Sequence, residues 1–296
     1  MGEVYSIGSR REVVRVRVVV GIKWVPNTQA VRFDPETGTL IRRGVPSIVN
    51  PHDLPAVEFS LRLRDEVGGE VIAIAMAPPP ASKGLEFVLG MGVDRAILIT
   101  DRVYAGADTL ATSYVLARAI QKINAEIGDV DLVVFGQETI DSSTAHIPAQ
   151  VASWLELPCI YYVKEATVVG NGRVRVVREL ENYLEEYELE LPAVLGVAIR
   201  ALKPRPVSLS MKLRTKFEKR LITWTNNDLK LDPRCTGLKG SPTIVAKTID
   251  MPEVPRRREV FKARDAREAA KWIVAKMLAD EKTRELLYRS LWGSRG

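Results

Sequence analysis

The stretch Gly136-Gln137-Glu138-Thr139-Ile140-Asp141-Ser142-Ser143-Thr144 joins an apolar run at 132–135 to a run at 145–155 whose apolar positions recur at helical spacing. A short apolar run predicts a buried strand, and helical spacing predicts an amphipathic helix. The stretch is therefore the loop of a strand–loop–helix unit. Repetition of that unit builds a parallel sheet with helices on both faces.

The same unit recurs on both sides of this loop. Apolar runs alternate with helix-like runs, and Gly90 is expected to end one of the helices. This alternation predicts a doubly wound α/β fold with a mainly parallel sheet. The predicted strands are 12–20, 70–75, 95–99, 132–135 and 192–198, and the predicted helices follow 50–53 and cover 80–89, 109–123 and 145–155.

Two regions depart from this alternation. The stretches 161–169, 172–179 and 183–190 alternate apolar with charged side chains, which predicts a small antiparallel extension. The stretches 31–33 and 39–41 flank a run of turn residues, which predicts a hairpin outside the main sheet.

The pattern divides the chain into an α/β domain at 1–222 and a loop-rich, helical C-terminal arm at 223–296. The basic stretch 205–219 is expected to hold one or two helical turns. In the arm, Asp265 is expected to cap a helix, with Glu268 completing a capping box. The apolar stripe of that helix must cover either the chain's own body or another chain. The stripe consists of Ala266, Ala269, Ala270, Ile273, Val274 and Met277.

Positive charge is concentrated in the arm. Residues 255–296 hold 12 Lys or Arg and six Asp or Glu, which accounts for the net charge of +6, so residues 1–254 are neutral. A nucleic-acid binder more often carries its excess charge on a folded face, so we expect no nucleic acid partner. No apolar run could cross a bilayer, residues 1–11 lack a signal core, and Cys159 and Cys235 allow no disulfide framework. We expect a cytoplasmic protein.

A ligand of such a sheet binds beyond the carboxyl ends of the strands, at the point where the strand order reverses. Four segments are expected at that edge: 21–28, 50–53, 76–82 and 136–144. We expect them to converge on one ligand. The candidate binding residues in the first three segments are Gly21, Asn50, Pro51, His52, Asp53 and Met76.

Two helix starts carry hydroxyl groups. Those at 142–144 precede a helix whose N–H groups and dipole favour a phosphate, while Asp141 is placed to bind a ribose or to cap the helix. An ordinary N-cap explains the same residues without a ligand. At the second start, the stretch 108–113, the hydroxyls of Thr109, Thr112 and Ser113 could hold a pyrophosphate, although capping by Asp108 is the simpler explanation.

Catalytic and metal-binding motifs are missing from the sequence. There is no Walker phosphate loop and no GxGxxG after the first strand. The two histidines, His52 and His146, have no carboxylate cluster beside them, which makes a poor metal site. Each histidine suits either a contact with a cofactor or an ordinary helix start. We therefore assign no catalytic acid, base, nucleophile or metal.

Several motifs, in order from 16 to 222, resemble the beta subunit of electron-transfer flavoproteins. They are Lys23-Trp24-Val25-Pro26-Asn27-Thr28, Asn50-Pro51-His52-Asp53, Leu89-Gly90-Met91-Gly92-Val93-Asp94-Arg95-Ala96, Gly136-Gln137-Glu138-Thr139-Ile140-Asp141, and Pro204-Arg205 with Leu209. The resemblance implies a fold like that of adenine nucleotide hydrolases, with a nucleotide or flavin site at Gly21, 50–53, Met76 and 136–144.

In ordinary members of this family the site holds AMP, and in electron-bifurcating members it holds a second FAD that receives a hydride from NADH. The stretch 108–113 resembles the bifurcating type, where its hydroxyls face the pyrophosphate of that flavin, and so does the long C-terminal arm. The resemblance therefore implies FAD rather than AMP, and a redox carrier active only within its complex.

The implied partners are the alpha subunit, a dehydrogenase or quinone oxidoreductase that docks at Arg205 and Leu209, and a ferredoxin-like acceptor. Two alternatives stay open: a non-bifurcating subunit with structural AMP, and an adenine-nucleotide sensor on the same architecture.

Overall fold

The computed structural model describes residues 15–27, 32–33, 40–41, 46–170, 172–244 and 259–292. These residues form two compact units, one up to Ile244 and one from Val245 onward. The predicted strand residues 12–14, 31 and 39, the predicted turn at 34–38 and the arginine run at 256–258 lie outside the described residues.

The first unit is built on a mixed sheet that has nine strands among the described residues. Its strands and two short strand pairs, in chain order, are β1 (Val16–Gly21), β2 (Trp24–Pro26), β3 (Arg32–Phe33), β4 (Leu40–Ile41), β5 (Ser47–Val49), β6 (Gly69–Met76), β7 (Arg95–Ile99), β8 (Leu132–Gly136), β9 (Cys159–Gly170), β10 (Arg173–Glu179), β11 (Leu184–Glu190), β12 (Ala193–Val197) and β13 (Leu221–Trp224).

The strand order in the sheet is β11-β10-β9-β12-β8-β1-β6-β7-β13. Strands β6 and β7 lie on one side of β1, and β8 and β12 lie on the other, and all of these neighbours pair in parallel. The chain therefore reverses its direction of travel across the sheet between β1 and β8. In a doubly wound sheet this reversal opens a crevice at the carboxyl ends of the two strands.

Helices cover both faces of the sheet. In the first unit they are α1 (Leu54–Val67), α2 (Ser82–Met91), α3 (Thr109–Glu126), α4 (Ile147–Leu155), α5 (Leu209–Phe217) and α6 (Asn226–Leu229). Alternate residues of β1 serve the two layers: Val18 and Val20 belong to the core with α1 and α2, and Val19 belongs to the core with α3 and α4. Strands β8 and β12 are buried along their whole length, and the sequence of each is a continuous apolar run.

The predicted antiparallel extension is confirmed by β9, β10 and β11, which pair with each other in antiparallel fashion. It continues the main sheet, because the first residues of β9 pair in parallel with β12. The predicted hairpin is also present as the β3–β4 pair, apart from the main sheet. Strand β2, which the sequence placed in a loop, pairs with β5.

Four helix limits differ from the prediction. Helix α2 starts at Ser82 instead of 80, and α3 ends at Glu126 instead of 123. The end of α2 and the start of α4 differ as well. Gly90 lies inside α2, and the helix ends at Gly92, whose φ of 118° is left-handed. Position 90 requires a glycine because of packing and not because the helix ends there, since a Cβ on Gly90 would lie 2.7 Å from Cγ1 of Val207. Helix α4 starts at Ile147 instead of Ala145, which has a left-handed φ of 55°.

The predicted domain limit after Ile222 falls within β13, an edge strand that pairs with β7. The sequence predicted a loop-rich stretch from 223, and residues 223 and 224 instead complete this strand, whose four residues are too few to show a period. The first compact unit extends to Ile244. Helix α5, with nine residues, is somewhat longer than the one or two turns predicted.

The described part of the second unit consists of α7 (Ala266–Ala279) and α8 (Glu281–Trp292). The Asp265 side chain accepts the N–H of Glu268 at 2.8 Å, which confirms the predicted cap. The Glu268 carboxylate binds the N–H of Arg264, one residue before the position that a capping box requires. The apolar stripe of α7 is exposed on this unit, with Ile273 and Val274 about half exposed.

Candidate functional site

Asn50 connects three of the turns at the carboxyl edge of the sheet. Its fully buried side chain donates from Nδ2 to Oδ1 of Asp53 at 2.8 Å and to the carbonyl oxygen of Glu138 at 2.9 Å. Its Oδ1 accepts the N–H of Ile140 at 3.2 Å, and its own N–H donates to the carbonyl oxygen of Lys23 at 2.8 Å. The side chain of Asn50 thus joins the turn at 50–53 to the loop at 136–144, and its backbone N–H ties the same turn to the segment after β1.

Asp53 lies beneath this junction with 4% of its surface exposed. Its carboxylate accepts the N–H of Lys23 at 2.8 Å as well as the amide of Asn50. A Cβ on Gly136 would lie 2.5 Å from Asp53 Oδ1, so the glycine allows the turn to pack against the end of β8. Burial raises the pKa of Asp53 to about 7, against the lowering effect of its hydrogen bonds.

The loop at 136–144 is tied to the β1 loop by an ion pair. Lys23 Nζ lies 2.8 Å from Oδ2 of Asp141, and the Thr139 hydroxyl donates to Oδ1 of Asp141 at 2.7 Å. Burial alone would raise the pKa of Asp141, but the hydrogen bonds and charge of its partners hold it below the ordinary value. Asp141 therefore lies on the crevice as a charged, paired carboxylate and does not cap α4.

The hydroxyl groups ahead of α4 do not cap it either. The N-cap is His146, which makes no side-chain cap hydrogen bond. Ser142 contacts the Thr139 hydroxyl at 2.9 Å, Ser143 donates to the Thr139 carbonyl oxygen at 3.2 Å, and Thr144 is exposed. The explanation by an ordinary Ser or Thr N-cap is therefore wrong.

The start of α4 also has fewer free donors than the sequence implied. Pro148 has no N–H, and the N–H of Ala149 donates to the Tyr161 hydroxyl oxygen at 3.1 Å. Of the first three positions of the helix, only Ile147 can offer its N–H to an anion. A phosphate at this point would depend on the loop hydroxyls as well as on the helix.

The second hydroxyl-rich helix start lies beside the first. Asp108 caps α3 by accepting the N–H of Ala111 at 3.0 Å and also accepts the Thr243 hydroxyl at 2.8 Å, so its carboxylate is occupied. The N–H of Thr112 donates to the carbonyl oxygen of Asp108. The Thr109 hydroxyl lies 3.3 Å from Nδ1 of His146 at the start of α4.

The remaining candidates lie at the same edge in different surroundings. Gly21 is buried, and a Cβ there would meet the Phe135 ring at 2.2 Å. Met76 ends β6 and packs against the core, Pro51 is exposed, and Gln137 is half-buried after β8. Nδ1 of His52 is buried and has no hydrogen-bond partner among the described residues.

The two residues predicted to bind a partner differ in whether their side chains can reach another protein. Arg205 binds the buried carboxylate of Glu58 through Nε at 2.8 Å and Asp65 through Nη1 at 2.9 Å, so its guanidinium group is committed to α1. Leu209, the first residue of α5, is 73% exposed.

Sequence reasoning missed part of the polar network, including the Tyr161 hydroxyl that accepts the N–H of Ala149 at the start of α4. Lys23 and Thr139 were within the segments considered but were not assigned contacts. The adjacent aromatic residues Tyr161 and Tyr162 at the start of a predicted strand were the available signal for a further contact surface. The amide of Gln150 donates to the Thr109 hydroxyl at 3.4 Å. The sequence could not predict this contact, because an amide inside an amphipathic helix is common.

Among the described residues no three His, Cys, Asp or Glu side chains are grouped to hold a metal ion. In that same part of the chain, no helix has the length and apolar composition needed to span a membrane.

The fold defines a doubly wound α/β protein whose crevice, at the carboxyl ends of β1 and β8, carries polar and hydroxyl side chains. An electron transfer flavoprotein domain matches residues 37–227. The chain belongs to the electron transfer flavoprotein family, as a beta subunit.

Three relatives show the extent of the similarity. The electron transfer flavoprotein subunit beta of Clostridium acetobutylicum is 40% identical over 263 residues, which cover 88% of this chain and 98% of the relative. The caffeyl-CoA reductase-Etf complex subunit CarD of Acetobacterium woodii is 40% identical over 238 residues, 80% of this chain and 88% of the relative. Protein FixA of Rhizobium meliloti is 37% identical over 275 residues, 90% of this chain and 92% of the relative.

Proposed function

We propose that this chain binds FAD in the crevice between the β1 and β8 ends and works as an electron-bifurcating subunit beside an alpha subunit. The adenylate end of the cofactor would be held by the turn at 50–53 and the loop at 136–144. The unpartnered, buried Nδ1 of His52 supports this fit, because a buried polar atom without a protein partner is expected to meet a ligand or water.

The contact between Thr109 and His146 is the observation that favours FAD over AMP. Oγ1 of Thr109, the first residue of α3, lies 3.3 Å from Nδ1 of His146, the residue before α4. A single phosphate needs one such helix start, whereas a pyrophosphate can use the hydroxyls and dipoles of two. With its pyrophosphate there, a dinucleotide would extend past the adenylate site.

When bound, a flavin would supply the redox chemistry of hydride acceptance from NADH and one-electron transfer. The protein positions the cofactor and sets the charge around its phosphates. Lys23 carries a positive charge to the crevice, and Asp53 is protonated in part near neutral pH, since burial raises its pKa to about 7. Both features lower the negative charge that phosphates would meet.

The proposed partners follow from the relatives and from the exposed surfaces. The Acetobacterium woodii relative is named as a subunit of a caffeyl-CoA reductase-Etf complex. For this chain we propose an alpha subunit, a dehydrogenase or quinone oxidoreductase docking at the exposed Leu209, and a ferredoxin-like acceptor. The exposed apolar stripe of α7 would bind a partner subunit, and the complex would be cytoplasmic.

Flavin counting tests the proposal. The chain is co-expressed with its alpha subunit, the purified heterodimer is denatured, and the released FAD and AMP are quantified. We expect two FAD per heterodimer and little AMP. One FAD with one AMP would contradict the bifurcating assignment and favour the subunit with structural AMP.

A further inference from the structure

Among the described residues, strand β11 forms one edge of the nine-stranded sheet and pairs only with β10. Its register with β10 runs without a shift over all seven residues. Natural proteins often protect a long edge strand with lysine, proline or a bulge, and β11 has neither lysine nor proline. We call the side of this strand that faces away from β10 the β11 edge.

The hydrogen bonds that flank β11 determine which of its backbone groups face the β11 edge. The N–H of Leu180 donates to the carbonyl oxygen of Tyr183 at 3.0 Å, and the N–H of Leu191 donates to that of Gly172 at 2.7 Å. Bonded and non-bonded pairs alternate in an antiparallel ladder. The residues that bond to β10 are therefore Glu185, Tyr187 and Leu189. The residues whose N–H and C=O groups point outward are Leu184, Glu186, Glu188 and Glu190.

The side chains of these four outward residues are exposed and share one face of the extension, and three of them are carboxylates. Arg173 on β10 lies 3.0 Å from an oxygen of Glu188 and 3.5 Å from one of Glu190. Arg175 lies 3.3 Å from Glu186. Two arginines thus face three glutamates. Residues 159–190 as a whole hold seven Glu and four Lys or Arg, a net charge of −3, so the extension is acidic.

The charge of the β11 edge opposes pairing with a second copy of itself. Two such edges would bring like charges opposite each other, which destabilises a strand pair. An added strand with Lys or Arg at alternate positions would instead face Glu186, Glu188 and Glu190. At the start of the edge, Tyr183 and Leu184 are 58% and 60% exposed, so a partner that binds there also covers apolar surface.

We propose that the β11 edge binds an extended, basic segment of the alpha subunit as an additional strand. The outward N–H and C=O groups supply the main-chain hydrogen bonds, and alternate Lys or Arg side chains of the added strand lie beside the three glutamates. Leu209 stays free for another protein, because α5 packs on α2, which contacts β6, β7 and β13 at the opposite end of the sheet. This inference rests on the proposed function and specifies where the alpha subunit docks.

Amide-resolved hydrogen exchange of the wild-type heterodimer tests this pairing without any substitution. With an added strand, the amides of Glu186 and Glu188 should exchange within about tenfold of those of Glu185 and Tyr187, because all four are then hydrogen-bonded. Exchange of the Glu186 and Glu188 amides at least about 100-fold faster than the other two would show a free edge and overturn the inference. Protection that increases with the concentration of the heterodimer would show pairing between copies and would also overturn it.

Two variants separate the hydrogen bonds of the edge from its charge. Glu188→Pro removes one outward N–H and keeps the ladder with β10, since that N–H does not bond to β10. Glu188→Gln is the matched control that removes the charge and keeps the N–H. Exchange with a labelled alpha subunit measures dissociation of the heterodimer. Loss of one hydrogen bond should make Glu188→Pro dissociate about fivefold faster than Glu188→Gln, and equal rates would contradict the pairing.

The salt dependence of dissociation tests the basic character of the partner segment. The difference in dissociation rate between the wild type and Glu188→Gln should shrink in about 0.5 M NaCl, because salt screens exposed ion pairs. A difference that does not change with salt would contradict a basic segment. These contrary results would leave the proposed function in place if the heterodimer still releases two FAD. A chain that forms no heterodimer would overturn both.

Discussion

Asp53 is a carboxyl group with two strong hydrogen bonds and almost no contact with water. Its raised pKa means that the folded chain binds this proton more tightly than the unfolded chain does. The group therefore stabilises the fold fully below its ordinary pKa near about 4, and this contribution is lost as the pH rises through about 7.

We predict that Asp53→Asn removes this pH dependence. Between pH 4 and pH 7, the free energy of unfolding of the wild type relative to Asp53→Asn should fall by up to about 1.4 kcal/mol per pH unit. Urea denaturation at a series of pH values measures it. Asp141→Asn is the control in which stability changes with pH in the opposite direction. The pKa of Asp141 is lowered, so its contribution to the free energy of unfolding is lost as the pH falls. A constant difference between wild type and Asp53→Asn would contradict the account.

Asn50 illustrates how one side-chain amide can hold two turns together. Asn50→Ala removes its bonds to Asp53, Glu138 and Ile140 and leaves their polar groups buried. Since each unsatisfied group costs about 1–3 kcal/mol, we predict a loss of about 3 kcal/mol or more in the free energy of unfolding.

A matched control for Asn50 is Asn124→Ala, which removes one hydrogen bond, from the N–H of Val130 at 2.9 Å. It should cost about 1 kcal/mol in the same urea experiment. Equal losses in the two variants would show that the junction at Asn50 does not hold the crevice together.

At the scale of elements, the contact between α2 and the segment before α5 depends on Gly90. Gly90→Ala would ordinarily favour a helix by about 1 kcal/mol. Here the added Cβ would lie 2.7 Å from Val207, so we predict a net loss of about 1–3 kcal/mol from overpacking.

Thermal or urea unfolding of Gly90→Ala, Val207→Ala and the double variant measures this contact. The double variant should be more stable than the sum of the two single losses implies, since the smaller side chain removes the clash. Additive losses would contradict the close approach of these two residues.

Elements were predictable where burial dictates the sequence. The strands β6, β7, β8 and β12 are apolar because helices cover both of their faces, and their limits were predicted to within about two residues. The start of α4 was not, because His146, Pro148 and the distant hydroxyl of Tyr161 determine it. Hydroxyl residues ahead of a helix usually mark its N-cap, and here they serve the loop instead.

At the scale of the whole molecule, the parallel direction of the main strands could be predicted, because strands joined by helices run parallel and place their carboxyl ends at one edge of the sheet. The four segments at the carboxyl edge were therefore predictable as neighbours. Their contacts were not: the bonds from Asn50 to Glu138 and Ile140 join residues 88 and 90 positions apart. Such pairings depend on the exact height at which each strand ends, which no local pattern encodes.

The location of the nucleotide in a crystal structure of the heterodimer tests the central claim most directly. We predict electron density for an adenylate group between the turn at 50–53 and the loop at 136–144, in contact with His52. Density at another face of the chain, with this crevice filled by the protein's own side chains, would contradict the account.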